Sequence, residues 1–283
     1  MGLVQIIATI GPVLLQFFYT SLLPVVSRYI FPKLKTRRAN VLFHLITGLF
    51  VTFTLYGPST GVALAEIFIE YFIISLNPWV CFGLSFGLNT LMHIRKLLVQ
   101  KEVWALNITA TAMISFHKFI ATSWNLYDGK KLKEGKKIKR PIFEKLALDE
   151  KPPLLEWFAF CICPYGGNTG PTYEFKVFDW MLEQYNRPQP EMTPVMKKRI
   201  IECYVQAVFA AIFTILGLSV FSFKRYYSST YLTLPLVLRV AVMLVLTLCQ
   251  AIKYFCVWDT IEGGLVAMGI DECPCVEDRS YSN

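Results

Sequence analysis

The sequence predicts an all-α protein, a polytopic transmembrane helical bundle with a re-entrant or interfacial segment. Three observations carry this. Hydrophobic residues are 54% of the 283-residue chain and charged ones only 17%, where a soluble domain carries about 25% charged residues. The apolar residues gather in blocks of membrane-spanning length, about 20 residues each. The basic residues lie between those blocks, and the net charge is +8. Basic loops between apolar spans mark the cytoplasmic side of a membrane protein. The same composition excludes a disordered chain, a disulfide-rich secreted module and an ordinary cytosolic enzyme. No aromatic-basic interleaving or zinc-finger spacing favours nucleic acid.

Leu3–Val26 is the first block. It lacks a basic n-region and is too long for a signal-peptide core, so it reads as a retained helix. Pro12 and Pro24 mark kinks or ends in it. Arg28 to Arg38 is basic. Asn40–Tyr56 is the second block, closed by Gly57–Pro58. Gly61–Leu76 and Trp79–His93, separated by Asn77–Pro78, are the third and fourth; both are short enough to pair as a hairpin. Arg95–Glu102 is polar and Val103–Thr122 is the fifth block. The expected units are residues 1–102, N-terminal transmembrane helices; 103–269, a core; and 270–283, an unmatched polar tail.

Lys130 to Lys151 reads as a solvated basic loop. Leu154–Tyr165 is apolar but too short to cross, and Pro164–Tyr165–Gly166–Gly167 ends it. Irregular backbone at membrane depth must be buried in protein or line a wet cavity. Tyr173–Tyr185 mixes aromatic and charged residues and is expected at the interface. Pro188–Pro194 reads as a linker, and Ile200–Phe223 and Tyr231–Trp258 as further spans. Placing the three main basic stretches, Arg28–Arg38, Lys130–Lys151 and Arg187–Arg199, on one side puts that side in the cytoplasm.

Charges inside spans default to function. Glu66 and Glu70 share a helix face, being four residues apart. Their plain role is hydrogen bonding within the bundle; the sharp one is a proton relay. Arg239 lies inside a span; its plain role is to hold a structural partner such as a buried carboxylate, and the rarer one is to anchor a phosphate. His44, His93 and His117 are the histidines; none has an evident carboxylate, Asn or Ser partner that would make it a base. Of the eight cysteines, Cys161/Cys163 and Cys273/Cys275 form C-x-C pairs, and no further cluster completes a metal site. Gly166–Pro171 is glycine-rich without phosphate-loop spacing. It reads as a hinge, or as the lining of a substrate portal.

Three segments resemble the membrane-bound O-acyltransferases, most closely their lysophospholipid acyltransferase branch. The first is Trp124-Asn-Leu-Tyr-Asp128-Gly129 before a basic loop. The second runs from Pro153-Leu-Leu-Glu156-Trp157 to Gly170-Pro171-Thr-Tyr173-Glu174-Phe175 and on to Trp180, similar to the family's P-S-L-x-E-[YF] segment leading to G-P. The third is Lys253-Tyr254-Phe255-Cys256-Val257-Trp258 followed by Glu262-Gly263 and Gly269. The resemblance spans roughly Ala105 to Gly269. It implies that the 103–269 core is an incomplete part of the family's own. It also implies acyl transfer from acyl-CoA, a co-substrate and not a bound cofactor, to a lysophospholipid, in the endoplasmic reticulum membrane if the source is eukaryotic. It makes Asp128, Glu156, Gly170, Pro171, Tyr173, Trp258 and Glu262 the substrate-binding candidates.

In the family the catalytic Asn and His follow the third segment. No catalytic residue is therefore assigned here: both are expected beyond Asn283, and the 283-residue chain by itself is expected to be inactive. Expected partners are the lipid bilayer, a lysophospholipid and acyl-CoA. Two other readings stay open. One is a proton-coupled small-solute transporter, whose flux Glu66→Gln would abolish. The other is a non-catalytic membrane partner or truncated isoform.

Overall fold

The computed structural model describes residues 3–99, 108–168, 170–186, 191–220, 229–269 and 273. Every regular element among them is helical. The helices are α1 (Leu3–Ile30), α2 (Arg37–Tyr56), α3 (Thr60–Ile73), α4 (Pro78–Val99), α5 (Thr109–Lys133), α6 (Pro141–Leu146), α7 (Leu154–Cys161), α8 (Phe175–Leu182), α9 (Pro194–Val220), α10 (Ser229–Leu232) and α11 (Leu236–Ala267). Three stretches among the described residues are long and apolar enough to cross a membrane: Arg37–Ile73, Pro194–Leu216 and Leu236–Ala267. The first comprises α2, a single 3-10 turn at Gly57–Ser59, and α3. The chain is an all-α membrane protein.

The boundaries depart from the sequence reading in physically simple ways. α1 runs unbroken through Pro12 and Pro24 to Ile30. α4 continues past His93 through Arg95 and Lys96, because Lys and Arg are good helix formers and cations suit a helix C-terminus. Its start is fixed by Asn77, whose Oδ1 accepts from the Trp79 amide at 3.0 Å. α5 likewise overruns the expected end at Thr122 and carries Lys130, Lys131 and Lys133 in its last turn. It closes on Gly135 at φ 73°, whose amide donates to the Leu132 carbonyl at 2.9 Å. The expected basic loop therefore starts inside a helix and is interrupted by α6. Tyr231–Trp258 is two helices with a turn at Thr233–Pro235, and α11 continues beyond Trp258 to Ala267. Residues 103–107, 187–190 and 221–223 of the expected segments lie outside the described residues, as does the 270–283 tail apart from Cys273.

The core centres on α7 and the backbone that follows it. Trp157, Phe160, Cys161, Ile162, Cys163 and Tyr165 have no exposed surface. This is the segment too short to span, and it is buried by its neighbours as such backbone requires. α2 comes so close that a Cβ on Gly48 would fall on the Ile162 carbonyl oxygen. α3 accepts from it through the Ile67 carbonyl, bonded to Trp157 Nε1 at 3.1 Å. α5 donates to it through Lys118. α8, expected at the interface, turns Phe175 and Phe178 onto Phe160, with ring centroids 5.3 and 5.5 Å apart. Protein, not lipid, covers that face. Elsewhere α9 lies along α11, joined by Arg199 and Glu262. α1 joins α11 through Arg28 Nη1, which donates to the Ala267 carbonyl at 2.8 Å.

Candidate functional site

The residues singled out by the resemblance fall into four places. Glu156 opens α7 and is gripped by Arg37 from the start of α2. Nε donates to Oε1 at 2.9 Å and Nη2 to Oε2 at 2.7 Å. The same guanidinium takes Asp179 Oδ1 at 2.6 Å and also bonds Glu183. One planar, forked cation thus collects three carboxylates from two elements. Asn40, one turn further along α2, donates to the Met181 and Leu182 carbonyls, both at 3.0 Å. The end of α8 is tied to α2 by this pair of residues.

Gly170, Pro171, Tyr173 and Trp258 form the second place. Gly170 sits at φ 73° before a cis proline. A Cβ there would stand 3.7 Å from Trp258 Nε1 and 3.3 Å from Ile114 Cδ1. Tyr173 packs its ring on Phe160 at 5.8 Å and under the Lys118 ammonium at 4.9 Å. Its hydroxyl lies beside the Cys163 thiol, in a position too poor for a hydrogen bond. Glu174, next in sequence, accepts from Asn125 Nδ2 at 2.8 Å. Burial pushes its carboxyl above the usual range, and the Asn125 bond pulls part of the way back.

Asp128 and Glu262 stand apart from these. Asp128 pairs with Lys131, three residues on, at 3.7 Å. Glu262 accepts from Arg199 Nε at 3.2 Å and joins α11 to α9. The seven residues are therefore distributed over several contacts, not gathered into one constellation.

Sequence reasoning passed over three residues that the structure makes central. In the sequence Arg37 is only one cation of a basic stretch. Lys118, at 1% exposure inside α5, donates to the Phe160 carbonyl at 2.6 Å and lies 4.6 Å over the Phe160 ring. A lysine inside an apolar block was signal enough to find it. Asn168, with no exposed surface, accepts from Thr111 at 3.0 Å and Thr52 at 3.4 Å. Nothing in its local sequence marks it beyond its place in the glycine-rich turn.

The buried acids have bundle partners. Glu70 accepts from Ser85 at 2.5 Å and Ser115 at 2.9 Å, joining α3 to α4 and α5. Glu66 accepts from Asn89 at 2.8 Å. Arg239 finds a carbonyl and not the expected carboxylate: Nε donates to Leu234 O at 2.9 Å. Leu234 lies in the turn before α11, and its carbonyl meets the half-buried guanidinium without bringing a second charge into the span. His44 is sealed in the core, with Nδ1 2.9 Å from the Asn40 carbonyl.

No family model matches the chain. Two curated proteins are similar to it. Lysophospholipid acyltransferase 1 of Arabidopsis thaliana is 20% identical over 254 residues, 87% of this chain and 54% of that enzyme. Membrane-bound acylglycerophosphatidylinositol O-acyltransferase MBOAT7 of Mus musculus is 26% identical over 128 residues, 45% of this chain and 26% of that enzyme. Both point to the membrane-bound O-acyltransferase family. The chain spans about half the length of the plant acyltransferase and about a quarter of the mouse one. The family-like segments thus have a structural setting. The P-L-L-E segment forms the exposed start of α7 ahead of the buried Trp157, Gly170–Pro171 sits against the Trp258 of α11, and Asp128–Gly129 is at the basic end of α5.

Proposed function

We propose that this chain forms part of an acyl-CoA-dependent lysophospholipid acyltransferase of the endoplasmic reticulum membrane. The observation that carries the reading is that two relatives, aligned over much of this chain, are both named for acyl transfer to lipids. Acyl transfer moves a fatty acyl group from the CoA thioester to a glycerol hydroxyl. It needs a base for that hydroxyl, a path for the apolar chain and an anchor for phosphates. An apolar helical bundle supplies surroundings for the chain. The exposed Lys130, Lys133, Lys136, Lys137 and Lys139 supply cations for phosphate. Asp128, Glu156, Gly170, Pro171, Tyr173, Trp258 and Glu262 shape the lipid side of the site in this reading. Glu156 and Glu262 tie helices together, and Gly170, Pro171, Tyr173 and Trp258 lie at the glycine-rich turn; none of the seven is the base.

The test uses the native product that carries these residues, captured from its source membranes with an antibody to Lys130–Lys151. It is supplied with labelled acyl-CoA and lysophospholipids of each common headgroup. The expected result is label in a diacyl phospholipid, above a sample depleted of the protein. Absence of such label for every headgroup overturns the proposal.

A further inference from the structure

At one end of α3, α4 and α5 the surface passes from apolar to aromatic to cationic. Phe72, Leu76, Trp79 and Val80, from the end of α3, the turn after it and the start of α4, are 61, 48, 70 and 49% exposed. Phe82 and Phe86 continue the exposed apolar face along α4. In a membrane protein such a face meets acyl chains. Trp79 packs edge-on against Trp124 of α5, and Trp124 against Tyr127, with ring centroids 5.7 Å apart in both pairs. Trp and Tyr gather where a bilayer gives way to water, so this ladder of rings marks the headgroup level.

Cations stand just beyond the rings. Lys131 lies 4.4 Å from the centroid of Tyr127 and pairs with Asp128. Lys130 Nζ donates to the Ser75 carbonyl at 3.3 Å, and Lys151 Nζ lies 3.6 Å over the Tyr71 ring. These two lysines reach the same end of α3 from different segments, one from α5 and the other from the stretch before α7. Among the described residues neither has a carboxylate partner. Partial burial holds the Lys151 ammonium below the usual lysine range, as fits a cation packed on a ring without a counter-ion. The stretch 128–151 carries nine cations against five acids.

We propose that this corner holds the headgroup of an anionic bilayer lipid. Its phosphate takes Lys130 and Lys151 as counter-ions, and its acyl chains lie along Phe72, Leu76 and Val80. A zwitterionic lipid balances its own phosphate, so charge complementarity selects the anionic one. Anionic lipids are concentrated in the cytoplasmic leaflet, the side on which the basic segment is expected. The acyl-transfer reading above offers Lys130 to a soluble phosphate. Here the phosphate belongs to a lipid, and Lys151 is needed as well.

The full chain, purified in a neutral detergent, is titrated with phosphatidylglycerol and with phosphatidylcholine of the same acyl chains. Bound lipid is counted by native mass spectrometry. Wild type is expected to bind phosphatidylglycerol about tenfold more tightly. Lys130→Gln/Lys151→Gln is expected to bind the two lipids alike. Lys136→Gln/Lys137→Gln removes the same charge from exposed lysines and is expected to keep the preference.

Equal binding of the two lipids by wild type overturns the proposal, and so does failure of both to bind. Undiminished preference in a folded Lys130→Gln/Lys151→Gln overturns it as well. Loss of the preference in Lys136→Gln/Lys137→Gln would make the attraction diffuse and remove the site. Displacement of phosphatidylglycerol by inorganic phosphate at constant ionic strength would give the corner to a soluble phosphate and remove the lipid. If Lys130→Gln/Lys151→Gln does not fold, the wild-type comparison, the second variant and the phosphate competition decide the matter.

Discussion

At the scale of single residues, Arg37 is the clearest structural keystone. It is 29% exposed and holds Glu156, Asp179 and Glu183 at once. Removing it leaves three carboxylates close together with no cation among them. Arg37→Ala is expected to lower stability by about 2 kcal/mol, allowing for partial exposure. Arg37→Lys should recover only part of this, because an ammonium cannot bond two carboxylate oxygens in parallel as a guanidinium does. Thermal melts of the two variants in detergent check both the size and the order of the losses. If the two melt alike, the forked geometry is not what matters.

At the scale of elements, two glycines that look equivalent in sequence have opposite settings. Gly129, near the end of α5, lies against the segment leading to α7. A Cβ there would fall on the Leu148 carbonyl oxygen. The Leu148 amide already bonds the Asn125 carbonyl at 2.9 Å, so the segment is fixed where the new atom would go. Gly129→Ala is expected to cost about 1–3 kcal/mol. Gly83, inside α4, has nothing within reach of an added Cβ. There the same change should be neutral or stabilising by up to about 1 kcal/mol, since alanine is the better helix former. The difference between the two melting temperatures is the measurement. It tests the docking of α5 against the 148 segment, which lies next to the Asp128 candidate.

Much of this level was legible beforehand. Asn77–Pro78 and Gly57–Pro58 punctuate the chain where α3 and α4 begin, because these residues disfavour continuing a helix. The ends of α4 and α5 were not legible in the same way. Hydrophobicity stops at His93 and Thr122, but the backbone bonds do not, and lysines extend the helices into water. The shortness of α7 was visible, and so was the need to bury it; its enclosing partners were not.

At the scale of the whole molecule, the arrangement of charge predicts a topology. The segment from Lys130 to Lys145 carries eight cations and is largely exposed. Positive loops face the cytoplasm. Trypsin added to sealed microsomes from cells expressing the protein is therefore expected to cut at Lys136 or Lys137 without detergent. Cleavage only after the membrane is opened would invert the orientation.

The sequence by itself determined the all-α membrane class, the approximate blocks and the family that the chain resembles. These depend on composition, on block length and on short ordered motifs, all of which are local. Only the tertiary structure decided that Glu156 belongs to Arg37, that Lys118 caps the Phe160 carbonyl and that Asn168 is held by two helices with one end unsatisfied. Each of those pairings joins residues more than forty positions apart. Inside a membrane bundle a polar group must find its partner among neighbouring helices, and which helices are neighbours is a property of the packing, not of any one segment.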